Sequence, residues 1–344
     1  VQRTRYYELT YPKGLAPRME QLAAVADGLL ERLAERLGVI LADEVVTVDF
    51  TRGSATHAGS ATWNTIRMDP FASPDAETLE RVFAHESTHV LSFRATERRL
   101  SSEAEALGFF AEGLAEALAL ELRPNVAAVE ARRLEAVLAH RRLRLTFSQL
   151  IRYASFTERH GPLLVYPMGF TWAQALIDSC GAEAPKKLLR ALASPDVPLR
   201  LAPEGLWQHL LQRAGCDIAS VNAAWESQLA ASEGKLAAEL ARVPDLQGGN
   251  ARRDGDEVRL LAQIEGEPSE GTVFFAKVRA QSNGAEAGGT ALYAPRRPDG
   301  TLEFRVPASQ VVDGVVQMQL GLRFERQGFP VVFEREWTKA RVAP

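Results

Sequence analysis

Cysteine is nearly missing from this chain of 344 residues, with two in all, and histidine is scarce, with six. Two cysteines, Cys180 and Cys216, are too few for a disulfide-framed miniature fold or a cysteine-rich metal cluster. Each adjoins a glycine, as Cys180-Gly181 and Gly215-Cys216, which leaves either one disulfide or two buried thiols open. No apolar run approaches the roughly 20 residues that cross a bilayer, so no membrane span is expected. A basic excess is also missing: the net charge is −4 and the isoelectric point near 6.0, which argues against an electrostatic nucleic-acid binder. The pairs Arg98-Arg99, Arg132-Arg133 and Arg141-Arg142 fall in helical patterns and read as solvated faces. The first residues carry no charged-then-apolar leader, and a chain opening at Val1 leaves room for one already removed. An extracytoplasmic location, periplasmic or secreted, is the expectation, with the cytoplasm as the alternative.

What is present stands out against that scarcity. Two of the six histidines occur in His85-Glu86-Ser87-Thr88-His89. In a chain this poor in histidine, chance would produce that pattern about once in a hundred sequences. Imidazoles at i and i+4 stand one turn apart on one helical face, so His85 and His89 can reach a single tetrahedral metal while Glu86 points beside it. The flanking sequence predicts a helix of about six turns, with Leu79, Val82, Phe83, Val90, Leu91 and Phe93 at helical spacing. Ser73-Pro74-Asp75 reads as its start: Ser73 as cap, Pro74 in the first turn, Asp75 against the positive dipole end.

A zinc site of this kind needs a third protein ligand. The candidate lies in Phe109-Phe110-Ala111-Glu112-Gly113-Leu114-Ala115-Glu116, again in a helical pattern. Glu112 is the expected ligand, and Gly113 leaves room for close helix approach. Glu116, one turn on, is placed to accept a hydrogen bond from a ligand histidine's second ring nitrogen. The alternative is a solvated face of an alanine-rich helix.

With these blocks the chain resembles the gluzincin metallopeptidases, the thermolysin-like, peptidase-MA-like clan in which a glutamate on a later helix completes the H-E-x-x-H site. Glu112 to Glu116 is similar to that clan's E-G-x-A-E block. Tyr166-Pro167-Met168-Gly169-Phe170, followed by Leu176, resembles the Y-x-x-G segment of the aminopeptidase N and leukotriene hydrolase branch, and Gly215-Cys216-Asp217-Ile218 leading to Trp225 and Leu229 is similar to the helical ending of peptidase-MA-like domains. The likeness covers roughly residues 1 to 235. It implies one zinc per chain held by His85, His89 and Glu112, Glu86 as general acid–base, and Tyr166 as donor to the transition-state oxyanion, with Tyr153 as a rival. It also implies that an extended substrate adds to the sheet edge before the zinc helix, where Trp63 and Asn64 are the candidate contacts. Two departures matter. Aminopeptidases of that branch carry G-x-M-E-N where this chain has Gly59-Ser60-Ala61-Thr62-Trp63-Asn64, with no acid to grip a free amine. Phe109 and Phe110 replace the usual proline and tryptophan.

The expected function is therefore zinc-dependent peptide-bond hydrolysis, more an endopeptidase than an aminopeptidase, on a peptide or protein substrate. The alternatives are a catalytically silent zincin-fold scaffold, or a zinc hydrolase acting on a glycopeptide or a non-peptide amide. Fold class reads as α+β: a thermolysin-like zincin lobe over residues 1–100, an α-helical lobe carrying Glu112 over 101–245, and a β-sandwich over 250–344. Glu44 to Phe50 and Thr62 to Met68 read as strands of the first lobe. Val243 to Asp256, with Pro244 and three glycines, reads as a linker. Beyond it, five to seven short strands suggest an immunoglobulin-like or fibronectin-like accessory domain that docks a protein or glycan partner.

Overall fold

The computed structural model describes residues 1–41, 44–51, 58–100, 105–279 and 290–343. In chain order its elements begin with β1 (Gln2–Arg3), β2 (Tyr7–Thr10), α1 (Ala16–Leu37), β3 (Val46–Asp49), β4 (Gly59–Ala61), β5 (Thr65–Met68), α2 (Ala76–Ala95) and α3 (Gly108–Leu122). Then come α4 (Val126–Leu143), α5 (Phe147–Leu150), α6 (Tyr153–His160), α7 (Val165–Cys180), α8 (Ala184–Ala193), α9 (Pro203–Arg213), α10 (Ile218–Lys235) and α11 (Ala237–Leu240). The remainder is strands: β6 (Asp245–Asp254), β7 (Glu257–Glu265), β8 (Val273–Arg279), β9 (Thr290–Ala294), β10 (Thr301–Pro307), β11 (Val315–Arg326), β12 (Phe329–Glu334) and β13 (Thr338–Ala343). The fold is mixed α and β, with a helical middle and a strand-rich end. By residue contacts it forms two compact units, one of Val1–Val126, Leu150–Tyr153 and Met168–Ser227, the other of Ala127–Gln149, Ala154–Pro167 and Gln228–Pro344.

In the first unit a five-stranded sheet runs in the order β1-β2-β3-β5-β4. Strands β2, β3 and β5 are mutually parallel, and β4 closes one edge antiparallel to β5. The parallel strands alternate as the sequence pattern requires: Tyr7, Leu9, Val46, Val48, Ile66 and Met68 are all buried. Helix α1 buries Leu22, Leu29, Leu30 and Leu33, leaves Val25 half-buried, and stops at Gly38, whose φ of 65° is the left-handed cap glycine favours.

Two local expectations are corrected. The cap of α2 is Asp75, not Ser73: Asp75 is extended and its carboxylate accepts from Thr78 N at 2.7 Å. The strand expected over 62–68 is broken, since Thr62 N donates to Thr65 O and makes Trp63 and Asn64 the two central residues of a turn between β4 and β5. Trp63 is engaged elsewhere, its indole donating to Glu44 at 3.3 Å and its carbonyl accepting from Arg94 Nε at 3.1 Å. The exposed edge is Gly59–Ala61 instead.

In the second unit eight strands make one connected ladder, β10-β7-β6-β13-β11-β8-β9, with β12 paired to β11. All pairs are antiparallel except β13 with β6. The expected linker is strand β6. Its Gly248 and Gly249 form a bulge against β7, and a Cβ on Gly249 would lie 1.2 Å from Leu261 O, so Gly249 serves close backbone approach, not a flexible joint. Helix α4 belongs with these strands: buried Glu135 accepts from Val332 N at 2.8 Å and from Arg132 at 2.7 Å. Arg326 on β11 ties Glu130 on α4 to Glu239 on α11. The units therefore interleave along the chain, where the sequence suggests consecutive domains.

A chain ended at residue 244 should thus lose the partners of Glu130, Glu135 and Glu239, leaving a buried carboxylate and unpaired backbone behind. Low soluble yield or a broad, uncooperative thermal transition is the expected result. A monomer on size exclusion with a sharp transition would make the strand segment dispensable.

Candidate metal centre

Helix α2 buries the whole His85–His89 segment. Its far side is pinned by Tyr7 on β2, whose hydroxyl meets Ser87 Oγ at 2.8 Å, with the Tyr7 ring 4.8 Å from Phe83. Ser87, the middle one of the three residues between the histidines, therefore anchors the helix to the sheet. On the near side, α3 delivers Glu112. Phe109 and Phe110 begin that helix inside an aromatic cluster with Trp172 and Trp207, ring centroids 5.1 to 5.9 Å apart. Trp207 Nε1 donates to Ala106 O just before the helix. Gly113 then meets Gly169 of α7 backbone to backbone: a Cβ on Gly113 would fall 2.2 Å from Gly169 C and O, and one on Gly169 would fall 2.4 Å from Phe109 O. Sequence reasoning ties Gly113 to close helix approach, but its partner Gly169, inside the Tyr166–Phe170 block, emerges only from the packing.

The result is a triangle of donor atoms. His85 Nε2 lies 3.1 Å from His89 Nε2 and 3.2 Å from Glu112 Oε2, and His89 Nε2 lies 3.4 Å from the same oxygen. Ligands about 2.0–2.1 Å from a tetrahedral zinc stand about 3.3–3.4 Å apart, so these side chains fit a zinc-sized ion without rearrangement. Among the described residues this is the one such group of three. Glu116 Oε2 lies 3.3 Å from His85 Nδ1, which favours a proton on that nitrogen, so that on loss of the other proton it is Nε2 whose lone pair faces the triangle. Glu86 is buried beside the pair, its carboxyl packed against Gly59 at the start of β4. Tyr166 sits half-buried in the first turn of α7.

The charges are strongly coupled. Burial pulls the His85 imidazole down, but hydrogen bonds to Glu112 and Glu116 and the Glu86 charge outweigh it and raise His85 from 6.5 to about 10. Burial pushes Glu112 upward, yet the facing His89 and His85 hold it well below the usual carboxylate range. Glu86 goes the other way: burial raises its carboxyl, only partly countered by the two histidines. A carboxylate raised toward neutrality is suited to shuttling a proton.

No protein-family model and no curated protein matches the chain. Solved structures with which it aligns include Legionella pneumophila aminopeptidase A in complex with aspartic acid, at 14% identity and a TM-score of 0.35, over 89% of this chain and 34% of that one. The catalytic domain of ZmpC from Clostridium perfringens, in complex with the sialyl T antigen, aligns at 8% identity and a TM-score of 0.31, over 93% of this chain and 63% of that one. The ZmpB metallopeptidase from Clostridium perfringens aligns at 11% identity and a TM-score of 0.28, over 94% and 63%. The chain spans about a third of the first protein's length and less than two thirds of the other two.

Two outcomes follow from the site. The folded pKa of His85 lies above its ordinary 6.5, so its contribution to metal-free stability is full below about pH 6.5 and fades as pH rises through about 10. Unfolding in chelator at pH 6, 8 and 10 should show that decline, whereas metal affinity should climb over the same range because the ion displaces the proton; a flat chelated profile would contradict the assignment. Separately, Gly169→Ala should weaken metal binding about tenfold or more, although Gly169 is no ligand, because α3 must withdraw to admit the methyl group. Unchanged affinity by competitive chelation would show that the glycine crossing does not position Glu112.

Proposed function

We propose that the chain is a zinc-dependent peptidase of the gluzincin kind, with a thermolysin-like first unit, cleaving within peptide chains. One observation carries the reading: two imidazole nitrogens and a carboxylate oxygen lie 3.1 to 3.4 Å apart in a buried site, with a second carboxylate, Glu86, beside them. His85, His89 and Glu112 would hold the ion, which when bound supplies a Lewis acid that polarises a carbonyl and makes water more acidic. Glu86 takes the proton of the attacking water and returns it to the leaving amine. Glu116 favours the His85 tautomer protonated at Nδ1, in which Nε2 would face the ion. The Tyr166 hydroxyl, one turn before Gly169 on α7, is the proposed donor to the oxyanion, a contact whose loss costs on the order of a hundredfold.

Among the described residues the edge strand Gly59–Ala61 pairs only with β5, which suits the addition of an extended peptide along its other side. Its side chains are small and uncharged, and no acid stands in residues 59–64 to hold a substrate's free amine, which favours internal cleavage. The bond between Cys180 and Cys216, Cα atoms 5.9 Å apart, suits an oxidising compartment, and no helix among the described residues is long and apolar enough to cross a membrane. The disulfide is what supports a location outside the cytoplasm, with the strand-rich segment as an accessory surface for a protein or glycan.

Metal analysis together with a peptide-library digest tests the reading. The wild-type protein should carry one zinc and cleave acetylated and free-amine versions of a peptide alike. Glu86→Gln should keep the zinc and the thermal transition but cut turnover at least about a hundredfold. Strict dependence on a free amine would make this an aminopeptidase with an unfamiliar anchor, and wild-type turnover in the Gln variant would sink the mechanism.

A further inference from the structure

The contact between the edge strand and α2 is closer than strand packing requires. A Cβ built on Gly59 would fall 2.5 Å from Glu86 Oε1 and 2.8 Å from both Cδ and Cγ. The outer half of the Glu86 side chain is thus laid across a single glycine Cα. Gly59 is not among the glycines with positive φ, so its backbone would accept an ordinary residue. What an added Cβ would contest here is space, and the atoms it would displace are those of the Glu86 side chain.

The strand cannot retreat to make that space. Gly59 pairs with Met68 of β5, and the neighbouring Ala58 carbonyl accepts from Asp69 N at 3.0 Å. From there the chain turns through Asp69–Ala72, closed by Ala72 N to Asp69 O at 3.2 Å. Arg18 on α1 donates to the carbonyls of Pro70, Ser73 and Asp75. Asp75 is the cap of α2, so one guanidinium ties the end of the β4–β5 pair to the start of the helix that carries Glu86. Four residues further along, Arg94 of α2 holds the Trp63 carbonyl. Strand and helix are fastened at both ends of their contact, with Glu86 between.

We propose that Gly59 is a positioning residue for Glu86, its missing side chain forming the slot that keeps the carboxylate in one rotamer beside the His85–His89 pair. Glu86 has three rotatable bonds and is buried. Without the slot it must turn about one of them, and a displaced base loses alignment with the attacked bond while the ligands His85, His89 and Glu112 stay where they are. The catalytic consequence rests on the peptidase reading; the steric one does not.

Both halves are tested by one cycle of variants in the full chain: Gly59→Ala, Glu86→Ala, Glu86→Gln and the two doubles. Against the wild-type background, Gly59→Ala should lower Tm by about 2–6 °C, the scale of an overpacked methyl group, and leave zinc stoichiometry at one. In the Glu86→Ala background the same change should cost about nothing, because the atoms it meets are gone. In kinetics, Gly59→Ala should reduce kcat at least about tenfold with KM within about twofold, yet alter the residual rate of Glu86→Gln by less than about twofold. If Gly59→Ala alone does not fold, recovery of a soluble, zinc-binding protein on adding Glu86→Ala supports the slot, and failure to recover overturns it. An equal Tm loss with and without the Glu86 side chain, or an equal rate loss on top of Glu86→Gln, also overturns it. If the wild type hydrolyses no peptide, the peptidase reading falls and the catalytic half with it, while the thermal cycle still decides the contact.

Discussion

Three donor atoms from two helices, 3.1 to 3.4 Å apart, can be held only if the helix backbones are fixed to a fraction of an ångström. His85 and His89 share one helix, so their spacing is set by the helical repeat. Glu112 comes from another, and its distance depends on how deeply α3 is pressed toward α2. The pressing surface is the glycine crossing, where Gly113 and Gly169 meet without side chains between them and the Phe109, Phe110, Trp172 and Trp207 rings pack alongside. On the opposite side of α2, Tyr7 and Ser87 bond the helix to the sheet. The three candidate donors thus lie between a hydrogen-bonded back and a close-packed front, each giving little under load.

The same compression creates an electrostatic problem that the site's chemistry answers. Three carboxylates, Glu86, Glu112 and Glu116, are buried around two imidazoles, and ionised acids in that number are costly to remove from water. Without an ion, His85 relieves the strain by keeping a proton between Glu112 and Glu116, and Glu86 by drifting toward the neutral acid. A bound dication would offset the same negative charge while leaving His85 free to use its lone pair. The proton on His85 thus does part of what a bound dication would do, and exchange of one for the other would couple metal affinity to pH.

Glycine marks close approach at each decisive crossing in the fold. Gly113 and Gly169 let two helices touch, Gly59 lets an edge strand lie on a carboxylate, and Gly249 lets β6 bulge against β7. Of these only Gly113 is readable from its neighbours. In the sequence Gly249 sits among Pro244, Gly248 and Gly255 and looks like a joint, because composition reports the absence of a side chain but not whether another backbone fills the space.

The sequence by itself determined the parts that rest on local periodicity: the zinc-type spacing of His85 and His89, the helices that carry them and Glu112, the stop of α1 at Gly38, and the strand texture beyond residue 257. Spacing along one helix fixes direction, so two ligands on a single face were legible at once, and Glu116 one turn from Glu112 followed by the same geometry. The tertiary structure alone decided which residues form the open sheet edge, since Trp63 and Asn64 alternate like a strand but are spent on a turn held by Glu44 and Arg94. It also decided that Asp75 caps α2, that Cys180 and Cys216 are bonded, and that α4 joins the strands through Glu135 and Arg326. Each of these depends on a partner 19 to 197 positions away or on competition between neighbouring residues for one role. A linear pattern records what a residue can do, and only packing selects which of its possible partners it meets.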